Sequence, residues 1–570
     1  MGARTQLTFL AEPVLVGAYP PGAGEATGLL YRAARGGDEN FQYYRLDRKT
    51  GEAIQLTNDA SRNDSALWSR DGKRLAWVST ARNGRDFDVW VGDGRDPQSA
   101  RLLLETEGQW TIEDWSRDGE RLIVGHQISV TESELFLVTL DGGVRTRISP
   151  ESPKAAYNDG LFAADGKKLY VTSDREGEFV ELYEVGLARA AAGDGTGWRS
   201  LSRDIPWGVE TMALSSDGRT VAFTTNEDGF SILHLLEAKT GKHQRAVGVP
   251  AGGLITGLRF ARKAGVLAFS YTDARTPGDA YTYDLSRKKP TRWTASEVGG
   301  LDATGFVTPQ LVHVDSFDKL RVPAFYYRPA GAGPFPVVVI IHGGPEAQSR
   351  PGFSSFDQLM VAQGTALVYP NVRGSVGYGK TYVSLDNGVA REDSVKDIGA
   401  VLDWIGAQPE LDARRVGVLG GSYGGYMVLA SLTHYSDRIA AGVDSVGISS
   451  WVTFLENTSE YRRDQRRVEY GDERDPAMRK HLEAISPLTS AARIQSPLFV
   501  VQGANDPRVP ASEAEQIVRA VRSSGHDVWY LLATNEGHGF AKKENRDAFL
   551  LLTTMFFARH LGGGSPPAQP

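Results

Sequence analysis

A serine framed by glycines, Gly420-Gly421-Ser422-Tyr423-Gly424, follows the apolar stretch Val416-Gly417-Val418-Leu419 and precedes a helix-compatible run. In that setting Gly-x-Ser-x-Gly is a sharp strand-to-helix turn. Its strained backbone lifts the serine hydroxyl clear of a sheet, and glycine is needed at 420 and 424 because side chains there would collide. The chain holds 64 glycines, so the pattern acquires meaning only with partners. A serine hydroxyl is a weak nucleophile and needs a base that takes its proton and later returns it to the leaving group. Among ten histidines, His126, His234 and His243 lie in repeats and His434 and His481 in helix-like stretches. His538 differs: Gly537-His538-Gly539 directly follows a strong strand, as suits a loop at the top of a sheet.

An acid must orient that imidazole. Asp506, in Gly503-Ala504-Asn505-Asp506-Pro507-Arg508, follows the strand Leu498 to Val501 into a glycine-containing loop. Asp472, Asp475 and Asp527 compete but lack that setting. The resulting order, Ser then Asp then His, is that of α/β-hydrolases. A tetrahedral intermediate also needs hydrogen-bond donors for its oxyanion. One is the backbone N–H of Tyr423, just past the serine; another is expected from His342-Gly343-Gly344-Pro345, the loop after the strand ending Ile340-Ile341. Trp451 and Phe454, with Tyr461 and Tyr470 beyond, follow the strand after the serine turn. They either line the pocket for the residue preceding the scissile bond or belong to the core.

The elements that must position these residues form an alternating pattern. Pro336 to Ile341 is near-continuously apolar, as expected of a strand buried on both faces of a parallel sheet. Further strands are expected at 366–369, 416–419, 441–443, 498–501 and 528–532. Val395, Ile398, Val401, Leu402 and Ile405 share one helical face, and 548–561 supplies a closing helix.

The first half is different. Extended runs and turns recur from about Tyr44 to Thr294, with clear copies at Trp68-Ser69-Arg70-Asp71-Gly72 and Trp115-Ser116-Arg117-Asp118-Gly119 and degenerate ones near Asp165, Asp217 and Ala264. Each Asp-Gly is read as a primed hairpin turn, in which both residues take positive φ. A strand closing each unit begins near Tyr44, Val89, Leu135, Leu182, Leu233 and Tyr281, a spacing of roughly 45 to 50 residues that fits a four-stranded propeller blade. The expected fold is therefore an N-terminal all-β propeller of six or seven blades followed by a C-terminal α/β-hydrolase domain. The boundaries are an N-terminal segment 1–12, a propeller 13–303, a catalytic domain 304–562 and a flexible tail 563–570.

Composition narrows the function classes. Hydrophobic residues make up 41% and charged residues 23% of 570, with a net charge of −7. That charge leaves no basic footprint for nucleic acid. No apolar run reaches the ~20 residues that span a bilayer, and the first residues lack a signal peptide's apolar core, so a cytoplasmic chain without a membrane partner is expected. With no cysteine there is no disulfide, thiolate metal site or cysteine nucleophile. The serine chemistry requires neither metal nor cofactor. Assembly into a homo-oligomer is left open.

Five motifs together resemble the prolyl oligopeptidase family of serine peptidases over nearly the whole chain: Gly420-Gly421-Ser422-Tyr423-Gly424-Gly425-Tyr426, His342-Gly343-Gly344-Pro345, Asn371-Val372-Arg373-Gly374-Ser375-Val376-Gly377-Tyr378-Gly379, Asp506-Pro507-Arg508-Val509-Pro510 and Gly537-His538-Gly539. The His-Gly-Gly-Pro form is similar to that of the acylaminoacyl-peptidase branch. The resemblance implies Ser422, Asp506 and His538 as triad, backbone donors at Tyr423 and Gly344, and Arg508 as a binder of a substrate carbonyl or carboxylate. It also implies a propeller of seven or eight blades, so that a further blade would hide in the first 40 residues. The paired glutamates with which dipeptidyl peptidases hold a free amine are not recognisable, which weighs against aminodipeptidase action. The expected activity is hydrolysis of short peptides through an acyl-enzyme. An esterase using the same triad and a non-catalytic binding scaffold are the rivals.

Overall fold

The computed structural model describes residues 6–21, 28–58, 60–193, 195–262 and 265–562. The expected tail 563–570, the first five residues of the expected N-terminal segment and Ala264 of the last repeat copy lie outside the described residues. Between Val16 and Arg292 the described residues form six antiparallel sheets of four strands each, every sheet a simple meander. The blade count is six. Blade one, Val16 to Gln55, occupies the region where a further blade was sought.

Two details of the repeat differ from expectation. The strands near Tyr44, Val89 and Leu135 are the third of each blade rather than the last (Gln42–Leu46, Asp88–Asp93, Ser133–Thr139). The outermost strands have three or four residues, and those such as Ala53–Gln55 and Arg145–Arg147 have no buried position and so lack an apolar signature. The Asp-Gly turns are also not two-residue primed turns. In blade two the pairing closes from Ser69 N–H to Arg74 C=O at 2.8 Å, and only Gly72 takes positive φ (70°). Asp71 is there for its carboxylate, which accepts from the Ser69 hydroxyl at 2.6 Å and the Lys73 N–H at 3.1 Å. The same Ser–Asp pairing recurs at Ser116–Asp118 and Ser215–Asp217. Blades stack face to face: Val78, Val89 and Val91 of blade two pack with Trp110, Ile112 and Val124 of blade three.

The second half is one eight-stranded sheet: β1 (Gln310–Asp315), β2 (Arg321–Tyr327), β3 (Phe335–Ile341), β4 (Ala366–Pro370), β5 (Leu411–Gly421), β6 (Ala441–Ser445), β7 (Leu498–Gly503) and β8 (Val528–Ala533). Its spatial order is β1-β2-β4-β3-β5-β6-β7-β8, antiparallel at the β1 and β2 edge and parallel from β4 and β3 onward. Every residue of β3 is buried, which is why that strand reads as a continuous apolar run. Six helices matter below: α1 (Arg391–Gly406), α2 (Tyr423–Tyr435), α3 (Trp451–Asn457), α4 (Glu460–Tyr470), α5 (Ala511–Ser523) and α6 (Lys543–Leu561). Val395, Ile398, Val401 and Leu402 of α1 join the core on one face of the sheet, and Phe556 and Phe557 of α6 the core on the other. No helix among the described residues is long and apolar enough to cross a membrane.

The two halves meet through specific polar contacts. Arg350, in the segment after β3, pairs with Glu210 of the propeller and donates to the Gly229 carbonyl at 2.8 Å. Glu178 of the propeller accepts from the N–H and hydroxyl of Thr381, each at 2.9 Å.

Candidate active site

The turn at the end of β5 has the strain that its sequence requires. Ser422 sits at φ 59°, ψ −120°, a conformation that a residue with a Cβ rarely adopts. Its N–H is tied to the Ser445 carbonyl at 2.9 Å, which holds the turn against β6. A Cβ at Gly420 would lie 2.2 Å from the Gly424 carbonyl oxygen, and one at Gly424 would lie 2.1 Å from that of Ile341. Both positions therefore need glycine, because backbone cannot move aside.

At the ends of β7 and β8, Asp506 and His538 meet. Asp506 Oδ2 faces His538 Nδ1 at 2.7 Å, and Oδ1 accepts from the N–H groups of Arg508 (2.8 Å) and Val509 (3.0 Å). The carboxylate is fully buried, whereas the His538 side chain keeps 11% of its surface open. These loops touch backbone to backbone: a Cβ on Gly503 would fall 2.1 Å from the Gly537 oxygen, and one on Gly537 would fall 1.9 Å from that of Gly37 in the propeller. His538 also borders a cavity of about 110 Å³ whose other walls include Pro13, Leu15, Glu39 and Phe41.

On the other side of Ser422, Tyr423 is the first residue of α2, so its N–H has no carbonyl within the helix to reach. The loop after β3 lies alongside: a Cβ on Gly343 would come within 2.9 Å of the Gly421 oxygen and 3.3 Å of Ser422 Cβ. His342 braces this loop, with Nε2 2.8 Å from the Ser375 hydroxyl. Gly344 has φ 122°, and its carbonyl accepts from the Tyr470 hydroxyl at 2.7 Å. Ser422, Tyr423, Gly343, Gly344, Asp506 and His538 are thus gathered at the carboxyl ends of parallel strands β3, β5, β7 and β8.

Trp451 and Phe454 do not line that site. They are 0% and 1% exposed, and Trp451 packs between Tyr426 and Tyr470, each 4.5 Å away between ring centroids. As wholly buried side chains they present no surface to a substrate; they are core beneath the loop that Tyr470 holds. The same core contains a charge network without any local sequence signature. Arg391 of α1, fully buried, pairs with Asp386 and with Glu469 (2.6 Å), while the Tyr423 hydroxyl donates to Asp386 at 3.0 Å. Burial pushes both carboxylates up, and Arg391 pulls them back. Arg391→Leu would leave two buried carboxylates without their counter-charge, so the expected cost is about 3 to 5 kcal/mol. A urea midpoint within about 0.5 kcal/mol of wild type would contradict it.

Arg508 is committed elsewhere than its motif suggests. Its Nε donates to the propeller's Glu39 at 3.0 Å. Glu39 also receives Arg62 Nη1 at 2.8 Å and the Tyr461 hydroxyl at 3.3 Å. Burial alone would raise the Glu39 carboxyl, but Arg508, Arg62 and His538 together hold it below its ordinary value. Sequence reasoning missed Glu39, Arg391, Asp386 and Glu469, and named Tyr470 only as a pocket or core aromatic. Apart from the Asp386–Arg391 pair, five positions apart, these contacts join residues far apart in the chain. Among the described residues no group of three or more His, Asp or Glu is arranged to hold a metal ion.

Comparison with known proteins agrees with this architecture. Residues 24–296 match the family model described as prolyl oligopeptidase, N-terminal beta-propeller domain, and residues 351–564 that of the prolyl oligopeptidase family. Dipeptidyl aminopeptidase BIII of Pseudoxanthomonas mexicana is 30% identical over 561 residues, which cover 95% of this chain and 79% of that protein. The acylamino-acid-releasing enzyme of Rattus norvegicus is 25% identical over 232 residues, 40% of this chain and 32% of that one. A puromycin-hydrolyzing peptidase of Mycobacterium tuberculosis has a similar fold, with TM-score 0.82 at 20% identity over 97% of this chain and 87% of its own. With its six-bladed propeller, its parallel sheet and a relative at this level of identity along nearly its whole length, the chain belongs to the prolyl oligopeptidase family of serine peptidases.

Proposed function

We propose that this peptidase cleaves short peptides through an acyl-enzyme formed on Ser422, with His538 as its base and Asp506 as the acid that orients the base. One observation supports this reading above the others: a buried Asp506 carboxylate lies 2.7 Å from His538 Nδ1, at the same carboxyl end of the sheet as the strained Ser422. With Nδ1–H donated to Asp506, His538 Nε2 is left with a lone pair to accept the serine proton. Attack of Ser422 Oγ on the peptide carbonyl gives a tetrahedral oxyanion, for which the N–H groups of Tyr423 and Gly344 are the proposed donors. His538 then returns the proton to the departing amine, and water repeats the sequence to release the acyl group. In this reading 13–303 is the domain that restricts access and 304–562 the catalytic one. The preference for short substrates is supported by the placement of Gly37 and Glu39 of blade one against the Asp506 and His538 loops.

The test separates peptide from ester hydrolysis and defines Arg508 at the same time. Wild type is expected to turn over an acyl-aminoacyl anilide as well as a p-nitrophenyl ester; turnover of the ester alone would favour the esterase reading. If Arg508 grips a substrate carbonyl or carboxylate, Arg508→Ala lowers kcat/KM on the anilide by about 1.5 to 3 kcal/mol and leaves a minimal ester nearly unaffected. Equal losses on both would assign Arg508 to holding Glu39.

A further inference from the structure

Helix α4 spans the gap between the catalytic domain and the propeller. Its Tyr461 ring meets Phe87 of blade two edge-on, 6.0 Å between centroids, and its Gln465 amide reaches the Gln127 carbonyl at 3.5 Å. The helix carries four arginines, and three have partners. Arg463 donates to the Thr458 carbonyl at 2.8 Å, Arg466 pairs with Glu346 at 3.0 Å, and Arg467 pairs with Asp464 at 2.9 Å and with Glu473 at 2.5 Å.

Arg462 is the exception. Its side chain makes no hydrogen bond or ion pair among the described residues, and its Nη1 is buried without a partner. Burial first, then the like charges of Arg466 and Arg508, push Arg462 down to about 10, with Tyr461 and Tyr470 opposing them. At neutral pH the guanidinium is still charged. A partly buried cation is costly unless an anion completes it, and the carboxylates of Glu346 and Glu39 are already paired with Arg466 and Arg508. The position is equally specific. One turn along the helix, Arg466 pairs with Glu346, two residues past Gly344; Arg508, whose charge also acts on Arg462, follows Asp506 by two residues. Arg462 therefore has as neighbours one arginine tied to the proposed oxyanion loop and one carried on the proposed acid loop.

We propose that Arg462 receives a carboxylate of the peptide substrate and so makes this enzyme selective for peptides carrying a negative charge near the cleaved bond. The guanidinium fork matches a carboxylate in two parallel hydrogen bonds. A peptide offers that group from two sources, its C-terminal α-carboxylate or an Asp or Glu side chain. The inference rests on the peptidase reading above, and the experiment separates the two.

Four peptides sharing one cleavable bond are compared: a free C-terminal acid, its amide, and amidated forms with Glu or Gln at one position. Wild type is expected to prefer one charged form over its neutral partner by at least about tenfold in kcat/KM. Which pair shows the preference identifies the source. That ratio, measured within each enzyme, should fall toward one in Arg462→Gln and be partly kept in Arg462→Lys. Ratios near one for both pairs in wild type overturn the proposal without any variant, as does an unchanged ratio in a folded Arg462→Gln protein. If wild type cleaves none of the four, the peptidase reading fails instead. Calorimetric binding of the same peptides to Ser422→Ala then decides the inference, with equal affinity for charged and neutral forms overturning it.

Discussion

Ser422→Ala is expected to give a folded protein whose peptide turnover falls by about 10⁶-fold, the scale seen when the nucleophile of a triad is removed and only binding and oxyanion donors remain. Alanine retains the Cβ, so the turn at φ 59° is neither relieved nor further strained, and the N–H bond to Ser445 is untouched. The urea midpoint should therefore match wild type. The check pairs that midpoint with single-turnover hydrolysis of an acyl-aminoacyl anilide and labelling by a fluorophosphonate, which should mark wild type and spare the variant. Hydrolysis within tenfold of wild type, in a preparation free of other peptidases, would remove Ser422 from the mechanism.

Asp506→Asn should cost about 10⁴-fold in kcat, out of proportion to a change of one atom. The geometry fixes the reason. Two backbone N–H groups, those of Arg508 and Val509, point at Oδ1, so an asparagine must place its carbonyl oxygen there and turn its NH₂ toward His538. An NH₂ facing Nδ1 favours the tautomer protonated on Nε2, and that nitrogen can then no longer accept the serine proton. Nitrogen-15 NMR of the imidazole reports the tautomer directly. A loss below tenfold, or a wild-type tautomer in the variant, would show that Asp506 does not orient the base.

Much of this site is legible in the chain because its constraints are local. The glycine at 420 is demanded by the Gly424 backbone within the same turn, although Gly424 itself is demanded by Ile341 of β3, and His538 and Asp506 stand immediately after buried strands whose apolar runs mark them. The propeller is legible for a related reason: three blades repeat a Ser–Asp–Gly turn whose hydrogen bonds close within six residues. Where the reading failed, the deciding interaction was not local. Trp451 and Phe454 follow the right strand, but whether an aromatic ring lines a pocket or fills a core depends on what packs on it from Tyr426 and Tyr470. The outer strands of the blades are three or four residues long with at most one buried position and so leave no pattern to find.

By itself the order of residues determined the two-part architecture, the strained serine turn and the positions of the proposed acid and base after their strands, because strand periodicity and turn chemistry act over a few neighbouring residues. Only the tertiary structure decided what surrounds them. Glu39 reaches Arg508 across 469 positions, Tyr470 anchors the Gly344 carbonyl across 126, and Arg391 joins Glu469 across 78. Charges and hydroxyls exert their effect over a few ångströms of space, whatever their separation along the chain, and folding alone sets which of them become neighbours.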